Sequence, residues 1–302
     1  MNTNRMIFSG LEELKPYFSS FNELYDICLE GDYEPWYGMG YWDNTYKPFF
    51  LVQEDKVVAN VSASPMRIVL NGQSHNVLQI SAVMTHPAFR GQGLSRYLMN
   101  YVMDHYQGQF EFIYLFANVE VLDFYPKFGF VRLDESRFTL KDLSGLEPLD
   151  SDWRKLSIEV SEDRSLMERF AKDHRPVSKT LSFEPDPCLA TYHFILQFED
   201  SLYYSAHWDC LVIMEFEEEE LNIYDIFSDR DYRLEELIPS LVKTQTQEIS
   251  FFFVPDTDFG GKLEVEKYPF DEDALYISRT QKGSIYGELC LSDHFSLLKT
   301  VF

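Results

Sequence analysis

The 302-residue sequence predicts an α/β (α+β) fold built on a mixed, twisted sheet, with the same unit following a second time in tandem. Three observations carry this expectation. Apolar residues in the first half switch between helical and strand spacing in the order helix, three strands, helix, strand, helix, two strands. A helix over 94–106 separates two strand-like runs, which calls for a parallel crossover, while tight turns elsewhere call for antiparallel hairpins. The second half repeats the order: AVMTHPAFRGQGLSRYLMNYV and DIFSDRDYRLEELIPSLVK both read strand, short loop, helix.

In the first half, Leu11, Leu14, Phe18, Phe21, Leu24, Tyr25 and Cys28 recur at three- and four-residue steps and predict a helix. A Gly- and aromatic-rich loop follows from Gly31 to Tyr46. The strands PFFLVQ, VVANVSASPMRIVL and NVLQISAVMT come next, punctuated by Glu54-Asp55 and the tight-turn dipeptide Asn71-Gly72. The third strand ends at His86-Pro87, and FRGQGLS opens the helix Leu94–Tyr106. A strand at Phe112–Ala117, a helical piece at Val119–Tyr125, Phe130–Leu133 and a last strand near Phe138 complete the unit. Periodicity lapses in LKDLSGLEPLDS, which places a boundary between units 1–145 and 146–302. Beyond it the pattern predicts a helix at Ser161–Lys172, strands ATYHFILQF, SLYYSAHW, CLVIMEF and LNIYDIF, a helix at Leu234–Lys243 and a strand ISFFFV. The run EFEEEE, Glu215 to Glu220, reads as a solvated hairpin tip, because neighbouring carboxylates on a strand point to opposite faces.

Composition narrows the function classes. Hydrophobic residues make up 45%, with 26 Phe and 19 Tyr, enough for two packed cores. No apolar run approaches the ~20 residues a bilayer needs, and the amino terminus lacks a signal-peptide pattern. Cys28, Cys188, Cys210 and Cys290 are scattered, with no CxxC pair and no His at ligand spacing, so neither disulfides, zinc nor another metal is expected, and a reducing cytoplasm fits. The net charge is −24, with −8 in residues 1–150 (11 Lys and Arg against 19 Asp and Glu) and −16 in the remainder. Such a surface repels nucleic acid and anionic membranes; it serves solubility, or it favours a cationic partner such as a polyamine or amino sugar.

Chemistry concentrates between the third strand and its helix, in Arg90-Gly91-Gln92-Gly93-Leu94-Ser95. Glycines there let the backbone approach a ligand, and a helix start offers unpaired N–H groups and a positive dipole end, suited to phosphate. A second cassette follows, Asn118-x-x-Val121-x-x-x-Tyr125-x-x-x-Gly129-Phe130. By these two motifs the chain resembles the GNAT superfamily of N-acetyltransferases over about residues 50–140, and the resemblance implies a sheet of the acyl-CoA N-acyltransferase type. It assigns the acetyl-CoA pyrophosphate to the backbone of Arg90 through Ser95, with Arg96 adding charge. The pantetheine arm falls to the strand Val83, Met84 and Thr85, with Asn118 also touching the cofactor, and the general-acid role to Tyr125. A phenol, with a reference pKa of about 10, is a fair match to a departing thiolate.

Two departures matter. Ser95 stands where the family has Gly or Ala, and Gln79 stands where several members carry a glutamate base. The amine side is expected among Asp26 and Glu30, four apart on a helix face, with Asp32 and Glu34 beyond and Trp36 and Tyr37 as an aromatic wall for a cation. The layout, an intact unit followed by a degenerate one, also resembles the enhanced-intracellular-survival aminoglycoside acetyltransferases, in which the terminal carboxylate enters the active site; that resemblance makes Phe302 a candidate base. The histidines show no ligand spacing, and His86 reads as part of the turn.

The expected activity is direct acetyl transfer to a primary amine. The alternative is a CoA-binding regulatory or assembly protein without turnover. The second half, lacking the glycine loop and the Asn–Tyr cassette, is expected not to bind CoA. A homo-oligomer stays open.

Overall fold

The computed structural model describes residues 5–267 and 273–279, arranged around two sheets. The chain runs β1 (Ile7–Ser9), α1 (Leu11–Leu14), α2 (Phe18–Leu29), α3 (Glu34–Gly38), β2 (Lys47–Gln53), β3 (Lys56–Leu70), β4 (Gln73–Thr85), α4 (Leu94–His105), β5 (Phe112–Asn118), β6 (Phe130–Arg132) and β7 (Ser136–Leu140). It continues with β8 (Arg154–Lys155), α5 (Ser161–Lys172), β9 (Leu181–Phe183), α6 (Pro187–Tyr192), β10 (Leu202–Ser205), β11 (Cys210–Glu217), β12 (Glu220–Phe227), α7 (Leu234–Leu237), β13 (Glu248–Phe251), β14 (Leu263–Lys267) and β15 (Asp273–Arg279).

The first sheet has the order β1-β2-β3-β4-β5-β15-β6, with β9 added to the end of β3; the second has the order β8-β10-β11-β12-β13-β7-β14. The two are copies of one plan. Four antiparallel strands lead to a parallel step, β4 to β5 in one and β12 to β13 in the other. A further strand, antiparallel to both neighbours, then separates the fifth from the last. Even the irregularity repeats: one extra residue bulges the fourth strand, with Ala82 and Val83 opposite Val61 in the first sheet and Tyr224 unopposed in the second. Ala82 takes φ 43°, a conformation costly for a side-chain-bearing residue. The Asn60 amide pins it, donating to the Ala82 carbonyl at 2.9 Å.

The separating strand in each sheet comes from the other half. β15, near the carboxy terminus, sits between β5 and β6, and β7, from the first half, sits between β13 and β14. The boundary drawn at 145–146 is therefore corrected as a boundary between folding units: sequence periodicity finds strands but not their partners.

Local departures have local causes. Pro16 breaks the first helix into α1, a 3₁₀ turn and α2. The run ATYHFILQF is helical rather than a strand, because Asp186 caps Leu189 N–H at 3.0 Å and Pro187 starts α6. Pro239 shortens the Leu234 helix to one turn plus a 3₁₀ turn. In place of a helix at Val119–Tyr125 the chain forms two short 3₁₀ turns, Val119–Val121 and Tyr125–Phe128.

The faces of the first sheet are distinct. Leu78, Ile80, Leu94, Leu98, Met99 and Val102 bury one face under α4. On the other, α2 and α3 bring Phe21, Tyr25, Tyr33 and Trp36 against Met84 and the α6 segment of the second half. Trp36 Nε1 donates to Thr191 Oγ1 at 3.2 Å, and Tyr41 donates to Glu168 at 2.6 Å, so the halves share a core. No helix among the described residues is long and apolar enough to cross a membrane, and none of their His, Cys, Asp and Glu side chains gather in a group placed to hold a metal ion.

Candidate active site

Pairing between β4 and β5 ends at Gln79 and Tyr114, yet β4 runs on to Thr85 and β5 to Asn118. The strands part there, and the edge of β4 that faced β5 has no ladder partner over its last residues among the described residues. A cleft beyond the carboxyl ends of parallel strands is the usual ligand position in open α/β sheets.

At the end of β4 the glycine loop enters α4. Gly91 has φ 77° and Gly93, the residue capping the helix, φ 73°, both in the left-handed region. Among the described residues, nothing beyond the chain neighbours lies within 4 Å of where a Cβ would be at either, so the loop presents bare backbone to open space. The first-turn amides of α4, from Leu94 to Arg96, have no intrahelical acceptor. Together these make a cradle that fits a pyrophosphate. Ser95, the departure from the family pattern, has a use: its hydroxyl meets Thr85 Oγ1 at 2.5 Å and ties the helix start to the strand end. Arg90 folds back, its Nε donating to Thr85 O at 3.3 Å. Gln92 and Arg96 are exposed. Of the strand residues, Val83 and Thr85 are half-buried, while Met84 packs into the α2 face and is closed off. The turn residue His86 accepts from Ala88 N–H at 3.2 Å.

Across the cleft, Asn118 is exposed and caps the next turn, accepting from Glu120 N–H at 3.0 Å. Tyr125 starts the following 3₁₀ turn and is buried on the same side of the sheet as α4. Its ring lies 5.2 Å from Phe124, 6.2 Å from Phe130 and 6.0 Å from Tyr276, whose hydroxyl in turn donates to Leu122 O at 3.1 Å. A residue of β15 therefore supports the Tyr125 turn, a contact that sequence spacing could not announce.

The predicted acceptor residues divide. The last turn of α2 meets the end of β4, with Cys28 Sγ 3.7 Å from Thr85 O, while Asp26 and Glu30 on the same turn are exposed. Burial raises the Cys28 thiol above its ordinary range, even with the Arg90 guanidinium beside it. Asp26 and Glu30 do not share a helical face, because Glu30 ends α2 with φ 54°. Trp36 is a correction: it is 0% exposed, locked among Trp42, Tyr46 and Tyr192. So is Tyr37, whose ring stacks on Phe18 at 3.7 Å, ten residues of helix, or about 15 Å, from Cys28. Asp32 is used locally, accepting from Asn22 and Glu34. Phe302 lies outside the described residues.

Sequence reasoning missed a polar floor on the α2 face: Asn60, Ser62 and Ser64 on β3 beside Gln79 and Ser81 on β4, all buried. Tyr33 and Tyr46 close over it, hydroxyls 2.7 Å apart. The signal was available, since A-N-V-S-A-S puts every polar residue on one face of a strand whose neighbours are apolar.

Residues 16–132 match the profile described as Acetyltransferase (GNAT) domain. No curated protein matches the sequence. Among solved structures, a probable N-acyltransferase from Enterococcus faecalis, of unknown function, superposes with a TM-score of 0.60 at 13% identity, covering 92% of this chain and 73% of its own. Eis1 from Mycobacterium abscessus gives 0.59 at 12%, covering 91% and 74%. A GCN5-related N-acetyltransferase from Kribbella flavida gives 0.56 at 12%, covering 92% and 72%. At these identities the likeness is one of fold.

Proposed function

We propose that this protein, an acetyltransferase whose residues 16–132 form a GNAT domain, moves an acetyl group from acetyl-CoA to the primary amine of a small cationic molecule. One observation supports the reading above all: the open glycine loop follows β4 where β4 and β5 part, and the Tyr125 turn follows β5 on the same side of the sheet as α4. Acetyl-CoA supplies the thioester. The backbone from Gly91 to Arg96 holds its pyrophosphate, and the free edge of β4 at Val83 to Thr85 pairs with the pantetheine arm and offers N–H groups to the developing oxyanion. Tyr125 hands its proton to the departing sulfur. Asp26 and Glu30 attract the cationic acceptor at the rim. Gln79, buried and neutral, cannot accept the ammonium proton, so that proton leaves through water or through a carboxylate beyond these.

Thiol release from acetyl-CoA against polyamines, aminoglycosides, amino acids and peptide amines tests this. Turnover confined to one cationic class supports the reading. Tight acetyl-CoA binding without turnover of any amine would replace it with the regulatory alternative. The cradle has its own test. A β-branched residue in the left-handed region costs on the order of 1–2 kcal/mol, so Gly93→Val is expected to weaken acetyl-CoA about tenfold by calorimetry. An unchanged Kd would remove this loop from the site.

A further inference from the structure

The second half has a parted pair of strands as well. β12 and β13 pair from Glu220 with Glu248 to Ile223 with Phe251, and β12 then runs on to Phe227 beside β11 but past its last pair with β13. Beyond the last pair lies a cavity of about 50 Å³ lined by His174, His193, Asp186, Asp225, Phe227 and Phe253 among others. That is several times the roughly 10–15 Å³ that one water needs. Its place follows from the shared plan. Asp225 comes directly after the bulge of the fourth strand, as Met84 does in the first sheet. It pairs with Ile213, whose side chain packs with α5 and α6, so the cavity opens on the face corresponding to that of α2 and not to that of α4. On the α4-like side the loop into α7, SDRDYR, carries no glycine, and nothing there resembles the cofactor cradle.

The chemistry of the walls is one-sided. His174 Nδ1 lies 2.6 Å from the Phe170 carbonyl, which assigns the ring proton to Nδ1 and leaves Nε2 as an acceptor. Burial lowers His174 to about 4 and His193 to about 3, so both imidazoles are neutral near pH 7. Burial raises Asp225 to about 7; one of its oxygens accepts from Ile226 N–H at 2.7 Å. Asp186 and Glu184 add two further carboxyls, the latter paired with Arg67 at 3.1 Å. Among the described residues no Lys or Arg lines the cavity, while Phe183, Phe227 and Phe253 do. Acceptors and aromatic faces, with Glu184 the one lining carboxyl given an Arg partner among the described residues, suit a cation with an apolar body.

We infer that the second half binds a small organic ammonium ion in this cavity, between the Asp225 carboxylate and the His174 and His193 imidazoles, without acetylating it. The inference stands apart from catalysis in the first half, because a chain that never turned over would still bind at this place. The probe pair is n-propylammonium against n-propanol, alike in shape and different in charge, read by calorimetry and by the ¹⁵N signals of the imidazoles, assigned with single His→Asn variants. Propylammonium is expected to bind in the millimolar range or better and to move the His174 and His193 signals, and propanol is not. Asp225→Asn is expected to weaken binding tenfold or more. Ala190→Leu, which fills the cavity from its wall, is expected to abolish it with the acetyl-CoA Kd unchanged. Equal binding of propanol, silent imidazoles in the folded wild type, or undiminished binding in Ala190→Leu would overturn the inference. If Asp225→Asn does not fold, the probe pair and Ala190→Leu decide it alone. An amine held at the Asp26–Glu30 rim would leave both imidazoles unmoved.

Discussion

A fragment ending at Gly145 is expected neither to fold cooperatively nor to bind acetyl-CoA, although it contains every motif of the acetyltransferase. It lacks β15, whose Leu275, Tyr276 and Ile277 are at most 5% exposed between β5 and β6. Burying three such side chains is worth about 1.5–3 kcal/mol each, against a total stability of about 5–15 kcal/mol for a typical protein. The fragment would also leave β5 and β6 with open edges and β7 with no sheet to join, a recipe for aggregation. Circular dichroism melts and acetyl-CoA calorimetry would show it, and co-expression with residues 146–302 should restore both signals. Ile277→Pro in the full chain probes the same strand without shortening it: position 277 pairs with Tyr114 on one side and Val131 on the other, and a central-strand proline breaks that ladder. A fragment 1–145 with a sharp melt and the full-length Kd would refute the exchange of strands.

Tyr125→Phe is expected to lower kcat by about 10²–10³, the usual worth of a positioned proton donor. The KM for acetyl-CoA should stay within about twofold, because the cradle at Gly91 and Gly93 is untouched. The melting temperature should hardly move, since the ring keeps its packing against Phe124, Phe130 and Tyr276. That combination, a fall in kcat with binding and stability preserved, separates a proton donor from one more buried aromatic. An unchanged kcat would demote Tyr125 to packing.

What the sequence disclosed and what it withheld divide along physical lines. The strands β2, β3, β4, β5, β11 and β12 and the helices α4 and α5 were legible because each carries its own periodicity over enough residues. So were the glycine loop and the Tyr125 cassette, whose spacing is local. Prolines at 16, 187 and 239 were readable in principle, yet apolar rhythm spoke louder than they did in ATYHFILQF. The support of Tyr125 by Tyr276, and the fate of Trp36 inside a core shared with Tyr192, depend on residues about 150 positions apart, and no local pattern encodes such a meeting. The polar floor from Asn60 to Ser81 lies between these cases: its alternation was visible, but which face was buried was not.

The crossing of β7 and β15 also sets a clock on synthesis. Leu115 of β5 meets Tyr276 of β15 across 161 residues of chain, and contacts of that separation form late and slowly. At about 5–20 residues per second, a ribosome needs about 10–30 s between delivering the two strands. Throughout that interval the catalytic sheet is exposed along the edge of β5, and the nascent chain depends on chaperones or on dilution to keep it from pairing with a neighbour.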